Sequence, residues 1–84
     1  MNGAHQKTLA AVFADPVNGA LEWRRIESLL MAAGCTRIEG SGSSVAFEKG
    51  GMKVFFHRPH RGKEALRYRV RDARVFLMSI GIKP

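Results

Sequence analysis

Two imidazoles stand three residues apart in the run His57-Arg58-Pro59-His60-Arg61-Gly62-Lys63, surrounded by cations. That combination suits cleavage of a phosphodiester that carries a neighbouring hydroxyl. One group of near-neutral pKa takes the proton of the 2′-hydroxyl of RNA, a second protonates the departing 5′-oxygen, and arginine balances the charge that builds on phosphorus. Imidazole is the side chain whose ordinary pKa suits both tasks. A metal site built on His57 and His60 fits less well, because no cysteine or carboxylate stands at ligand spacing and the surrounding cations repel a metal ion. No metal and no cofactor is expected. The plainer reading is a pair that is merely solvated, or that contacts phosphate without catalysis, since His-Arg-Pro-His is not a specific motif. The third histidine, His5, reads as a surface residue of a leading helix.

The cations continue past this run. Between Arg58 and Arg74 there are seven Lys or Arg residues against Glu64 and Asp72. Arg67, Arg71 and Arg74 are spaced i, i+4, i+7, so on a helix they share one face and can grip one backbone together. Arg58, Arg61 and Lys63 fall at a strand end and a predicted helix N-terminus, where free N–H groups and the helix dipole add to phosphate binding. Lys53, on the strand that ends just before Arg58, completes the expected RNA-binding set. The competing reading pairs Arg69 and Arg71 with Asp72, Glu64 or an acidic partner protein.

The charge is divided by position. Residues 1–42 carry Lys7, Arg24, Arg25 and Arg37 against Asp15, Glu22, Glu27 and Glu39, a balance of zero, so the whole net charge of +7 lies in residues 43–84. A segregated basic surface attracts a polyanion, and nucleic acid is the commonest candidate in the cytosol. A solubilising charged face is the alternative.

These side chains have to be positioned by a small scaffold. Leu9, Val12 and Phe13 lie at helical spacing in a segment over 5–14 that stops at Asp15-Pro16. Trp23, Ile26, Leu30 and Ala33, widened by Leu29, predict a second helix over 22–33, and Gly34 ends it. The period then changes to two. Strands are predicted over 36–39, 44–49 and 52–57, separated by Gly40-Ser41-Gly42-Ser43 and by Gly50-Gly51, a pair suited to the positive φ values of a two-residue hairpin. A last helix over 64–80 places Leu66, Val70, Ala73, Leu77 and Ile80 on one seam.

The expected architecture is α+β, with a three-stranded antiparallel sheet covered by helices on one face and open to solvent on the other. After an extra N-terminal helix, the order is α-β-β-β-α, that of double-stranded-RNA-binding domains. Parity puts Ser44 and His57 on the open face if Val45, Phe47, Val54 and Phe56 face the helices.

Composition bounds the rest. Eighty-four residues support one core and so one domain, 1–84, read as an N-terminal extension over 1–20 and a core over 21–84. The longest apolar run, Leu9 to Ala14, is far below the roughly 20 residues of a membrane span, and no signal sequence precedes it, so the chain reads as cytoplasmic with no membrane partner. Cys35 is the only cysteine, which excludes an internal disulfide and points to a buried thiol.

From about Trp23 to Ile82 the chain resembles the HicA family, the toxin half of the HicA–HicB toxin–antitoxin pair. The resemblance rests on a helix ending in Ala-Gly, a Gly-Ser turn into the second strand, a histidine-bearing end to the third strand, and an amphipathic helix closing with Ile-Gly-Ile. It implies a double-stranded-RNA-binding-like fold, ribosome-independent mRNA cleavage, and a HicB-like antitoxin that covers the active site. The family's usual signature at the second strand is Gly-Ser-His, with that histidine catalytic. Here the matching residues are Gly42, Ser43 and Ser44. A serine hydroxyl is far too weak a base near neutral pH to replace imidazole and needs a base of its own.

Two readings therefore stand. In the leading one, the chain is a metal-independent mRNA interferase whose base has moved to His57 or His60. In the other, it is a non-catalytic double-stranded-RNA-binding or regulatory module on the same fold. DNA binding is weaker, since no recognition-helix pattern is evident and A-form RNA suits this fold's readout of phosphates and 2′-hydroxyls.

Overall fold

The computed structural model describes all 84 residues. Six elements follow the predicted order: α1 (Gly3–Val12), α2 (Trp23–Ala32), β1 (Thr36–Glu39), β2 (Ser44–Lys49), β3 (Met52–His57) and α3 (Arg67–Ser79). The strands form one antiparallel sheet in the order β1-β2-β3. The fold is α+β, and α2 to α3 has the order of a double-stranded-RNA-binding domain.

Both sheet connections follow from short glycine segments. Gly50 and Gly51 adopt φ of +58° and +82°, the doubly left-handed geometry that matches a tight hairpin to the strand twist. At the other end, Gly40 N–H donates to Ser44 O and Ser44 N–H to Ser41 O, closing the β1–β2 turn. A Cβ on Gly40 would lie 2.8 Å from the Ser44 Cβ, so only glycine lets the chain fold back this tightly.

Helices α2 and α3 end the same way. After α2, Gly34 N–H bonds Met31 O and Cys35 N–H bonds Leu30 O; after α3, Gly81 N–H bonds Met78 O and Ile82 N–H bonds Leu77 O. Each is a Schellman cap with glycine in the left-handed position, which satisfies carbonyls the helix leaves unpaired. At the other terminus of the chain, the Asn2 side chain accepts from His5 N–H and starts α1 two residues before the expected point.

The inner sheet face packs on the helices. Val45, Phe47 and Phe56 share one core with Trp23, Ile26, Leu29 and Leu30 of α2 and Val70, Ala73, Phe76 and Leu77 of α3. Trp23 meets Phe56 edge-on at 4.8 Å between ring centroids. Leu9 and Val12 of α1 enter the same core, so the N-terminal helix packs into it. Cys35 is buried, and desolvation, partly offset by Lys49, pushes its thiol pKa up.

One expected boundary is corrected. The last helix begins at Arg67, not near residue 64. Residues 63–66 are kept out of the helix by bonds to residues 19–23: Trp23 N–H donates to Lys63 O, Ala65 N–H to Leu21 O, and Leu66 N–H to Gly19 O. Leu66, with φ of +71°, turns the chain into α3. Lys63 and Arg61 thus precede the helix by several residues and do not sit at its N-terminus.

Candidate active site and phosphate-binding face

Antiparallel register pairs Ser44 of β2 with His57 of β3. Arg58 N–H bonds Ser43 O at 2.9 Å just beyond this pair. By the alternation of an antiparallel ladder, Ser44 and His57 then form a non-hydrogen-bonded pair, the kind whose side chains stand closest. Val45 and Phe56, one residue inward, are buried, which turns Ser44 and His57 to the open face. His57 is exposed and Ser44 half-buried.

His60 returns to the same end. Its Nε2 lies 3.4 Å from the Ser43 hydroxyl in the β1–β2 turn. The sheet end thus gathers Ser43, Ser44, His57 and His60. Here the histidine–serine contact goes to Ser43 and leaves Ser44 without an activating imidazole. His5 is elsewhere, half-buried rather than fully exposed, with its Nε2 2.8 Å from Ser28 Oγ between α1 and α2.

Behind the site, the inner face of the edge strand is charged. Arg37 and Glu39 pair in register with Phe47 and Val45, and so face α2. Arg58 Nε and Nη2 grip Glu27 at 2.7 and 3.2 Å, while Nη1 and Nη2 grip Glu39 at 2.8 and 3.0 Å. Glu27 also accepts from Trp23 Nε1 and lies 3.6 Å from Arg37. These bonds, to Glu39 first and then Glu27, raise the Arg58 pKa further, and the Arg58 guanidinium holds the Glu39 carboxyl below the usual glutamate range.

Two of the cations expected to hold RNA are therefore committed within the chain. Arg58 is fully used by two carboxylates. Arg74, with 20% of its side chain exposed, donates to Val12 O and Ala14 O and pairs with Asp15, fastening the end of α1 to α3. A phosphate would have to displace these partners. Lys53, Arg61, Lys63, Arg67 and Arg71 are exposed and have no carboxylate within 4.0 Å. The alternative pairing of Arg69 and Arg71 with Asp72 or Glu64 does not occur.

Arg69 behaves unlike its neighbours in sequence. It is only 7% exposed, with Nε donating to His57 O at 2.6 Å and Nη1 to Ala65 O at 3.1 Å, and its guanidinium lies 4.6 Å from the Tyr68 ring centre. A signal for this was present. Arg69, Ala73, Phe76 and Ile80 run at steps of 4, 3 and 4, which puts Arg69 on the buried seam. Glu27 and Phe55 were also absent from the expected site. Phe55 is 72% exposed, on the open face beside His57.

No helix is long and apolar enough to cross a membrane. No curated protein and no solved structure matches the chain. The model for the family described as HicA toxin of bacterial toxin–antitoxin does match, over residues 23–82, from the first residue of α2 to the second glycine-flanking isoleucine after α3. That span contains the whole sheet, both histidines of the site and the free cations, and the chain belongs to the HicA toxin family.

Proposed function

We propose that this toxin is an RNA-binding mRNA interferase that cleaves RNA by acid–base catalysis with its own side chains, and that a HicB-like antitoxin neutralises it by covering the same sheet end. The observation that carries this reading is the register pair of Ser44 and His57 on the open face, with His60 drawn to the adjacent Ser43. The family's histidine position thus has one imidazole opposite it, His57, and a second, His60, beside the preceding residue.

The chemistry follows from their pKa range. One imidazole removes the proton of the substrate's 2′-hydroxyl, whose oxygen bonds to phosphorus; the phosphorus–O5′ bond breaks, and the second imidazole protonates the leaving oxygen. A 2′,3′-cyclic phosphate and a free 5′-hydroxyl result. Exposed Arg61 and Lys63 offset charge on the non-bridging oxygens, and Arg67, Arg71 and Lys53 hold flanking phosphates.

A non-catalytic RNA-binding module is the second reading. It is favoured by Ser44, which stands where the family's catalytic histidine is expected and has no base to activate it. Cleavage of a labelled mRNA in EDTA separates the two. Loss of either His57 or His60 should slow cutting by about 10²–10⁴-fold with binding retained. An inert, well-folded wild-type protein that still binds RNA would establish the module instead.

A further inference from the structure

The open sheet face carries an apolar row next to the proposed site. Ile38 of β1, Ala46 of β2 and Phe55 of β3 are register neighbours across all three strands. Ile38 is 42% and Phe55 72% exposed, while Ala46 between them is buried. Together with Ser44 and His57 they line a shallow cleft of about 320 Å³. No helix covers this face, and the single aromatic ring of Phe55, on the edge strand β3, is presented to solvent.

Two features beyond exposure indicate the occupant. Lys53, on the same face, holds its ammonium 5.7 Å from the Phe55 ring centre, so the aromatic surface is bordered by a cation. His57 borders it on the other side. Along β3, Phe55 and His57 are two residues apart, about 7 Å at ordinary strand rise. That is close to the step between successive nucleotides of an extended single strand. Glu39 also lines the cleft, with its carboxylate held by Arg58, and Glu48 is opposite Lys53 at the far side from His57.

Building on the RNA-cleaving reading above, we propose that Phe55 is a stacking platform for one base of single-stranded RNA, adjacent to the phosphate that the histidines attack. Ile38 and Ala46 form the floor of this subsite, and Lys53 meets the backbone of the stacked nucleotide. Every base has a π-face, so such a platform adds affinity and fixes the scissile phosphate without demanding one sequence. It also selects single strands, since a base inside a duplex is already stacked on both faces.

The test uses the full chain and a short single-stranded oligonucleotide made entirely of 2′-O-methyl nucleotides, which binds but lacks the attacking hydroxyl. Phe55→Ala should raise Kd by about 5- to 150-fold, the range for removing one base–aromatic contact. Phe55→Tyr and Phe55→Trp should keep wild-type affinity, and the new indole should be quenched when RNA binds. Phe55→Leu should behave like alanine, because it is apolar but has no π-face. Unchanged affinity in Phe55→Ala, or full affinity in Phe55→Leu, would overturn the platform while leaving RNA binding intact. If Phe55→Ala weakens capture of the antitoxin and not of RNA, the row is a protein contact and the proposal fails. A folded wild-type chain that binds no RNA removes the underlying reading and this one together.

Discussion

Arg69 Nε donates to His57 O at 2.6 Å, so a buried arginine of α3 holds the backbone of the residue proposed to move protons. Its second bond, to Ala65 O, reaches the end of the connection between β3 and α3. Helix, turn and strand end are locked by one guanidinium. Replacing it with methionine keeps much of the volume and strands two carbonyls. Arg69→Met should cost about 1–3 kcal/mol in urea unfolding. Cleavage, assayed at a temperature where the variant is folded, should fall mainly in kcat, because His57 is mispositioned and the cations proposed to hold phosphate are untouched. A variant with normal stability would show that the carbonyls find other donors.

A pH dependence follows from the Arg58 cluster. The Glu39 carboxyl has its pKa lowered chiefly by its hydrogen bond from Arg58. A depressed carboxylate contributes stability that is complete above the ordinary glutamate value and lost as pH falls through the depressed one. The wild-type chain should therefore lose this contribution progressively below about pH 4.5. Glu39→Gln should be less stable at pH 7 and show a shallower acid limb, with the two curves converging at low pH. Urea midpoints measured from pH 7 to pH 2.5 check this, and parallel limbs would remove Glu39 from the account.

The exposed and the committed cations should separate in a salt titration. Arg67→Ala and Arg71→Ala should each flatten the log Kd against log salt slope for RNA by about one, with little change in Tm. Arg74→Ala should do the reverse. It removes bonds to Val12 O, Ala14 O and Asp15, so it should lower stability by about 1–2 kcal/mol and leave the slope nearly unchanged. Equal slope losses in all three variants would mean that RNA displaces the Arg74 contacts.

The strands and their parity were legible in the sequence because period-two alternation and glycine turns are local signals. Ser44 and His57 on one face follow from that parity alone. The start of α3 was not legible: Ala65 and Leu66 continue the helical apolar pattern, and only their long-range bonds to Leu21 and Gly19 keep them out of the helix. The same limit applies to the cations. Nothing local distinguishes Arg58, gripped by Glu27 from thirty-one residues away, from Arg61, which is free. Arg69 was readable from its place on the apolar seam, but its charge drew it into the basic patch. Ile38 misleads in a different way. Its alternation with Arg37 and Glu39 identifies a strand, yet the charged side faces α2 and the apolar side faces out, since Glu27 and Arg58 provide partners within.

The decisive experiment concerns Ser44, His57 and His60. Ser44 and His57 are paired across two strands, in the ladder position where side chains approach most closely, with Cα atoms typically about 4.5 Å apart. An imidazole at residue 44 would therefore stand beside the His57 ring and on the face proposed to receive the substrate. Ser44→His should raise the rate of mRNA cutting if catalysis is limited by the strength of the base, and it should rescue His57→Ala in part. Ser44→Ala should change little, because a hydroxyl without an activating base transfers few protons near neutral pH. His57→Ala and His60→Ala should each slow cutting by about 10²–10⁴-fold, and the products of the wild-type chain should end in 2′,3′-cyclic phosphates. The measurement is cleavage of an end-labelled mRNA in EDTA, with growth arrest on expression as the cellular counterpart. Full activity in the double His57→Ala/His60→Ala variant would refute the relocated base, whatever Ser44→His does. Activity gained only with histidine at residue 44, from a wild-type chain that binds RNA and leaves it whole, would identify a toxin fold that kept its substrate site and lost its base.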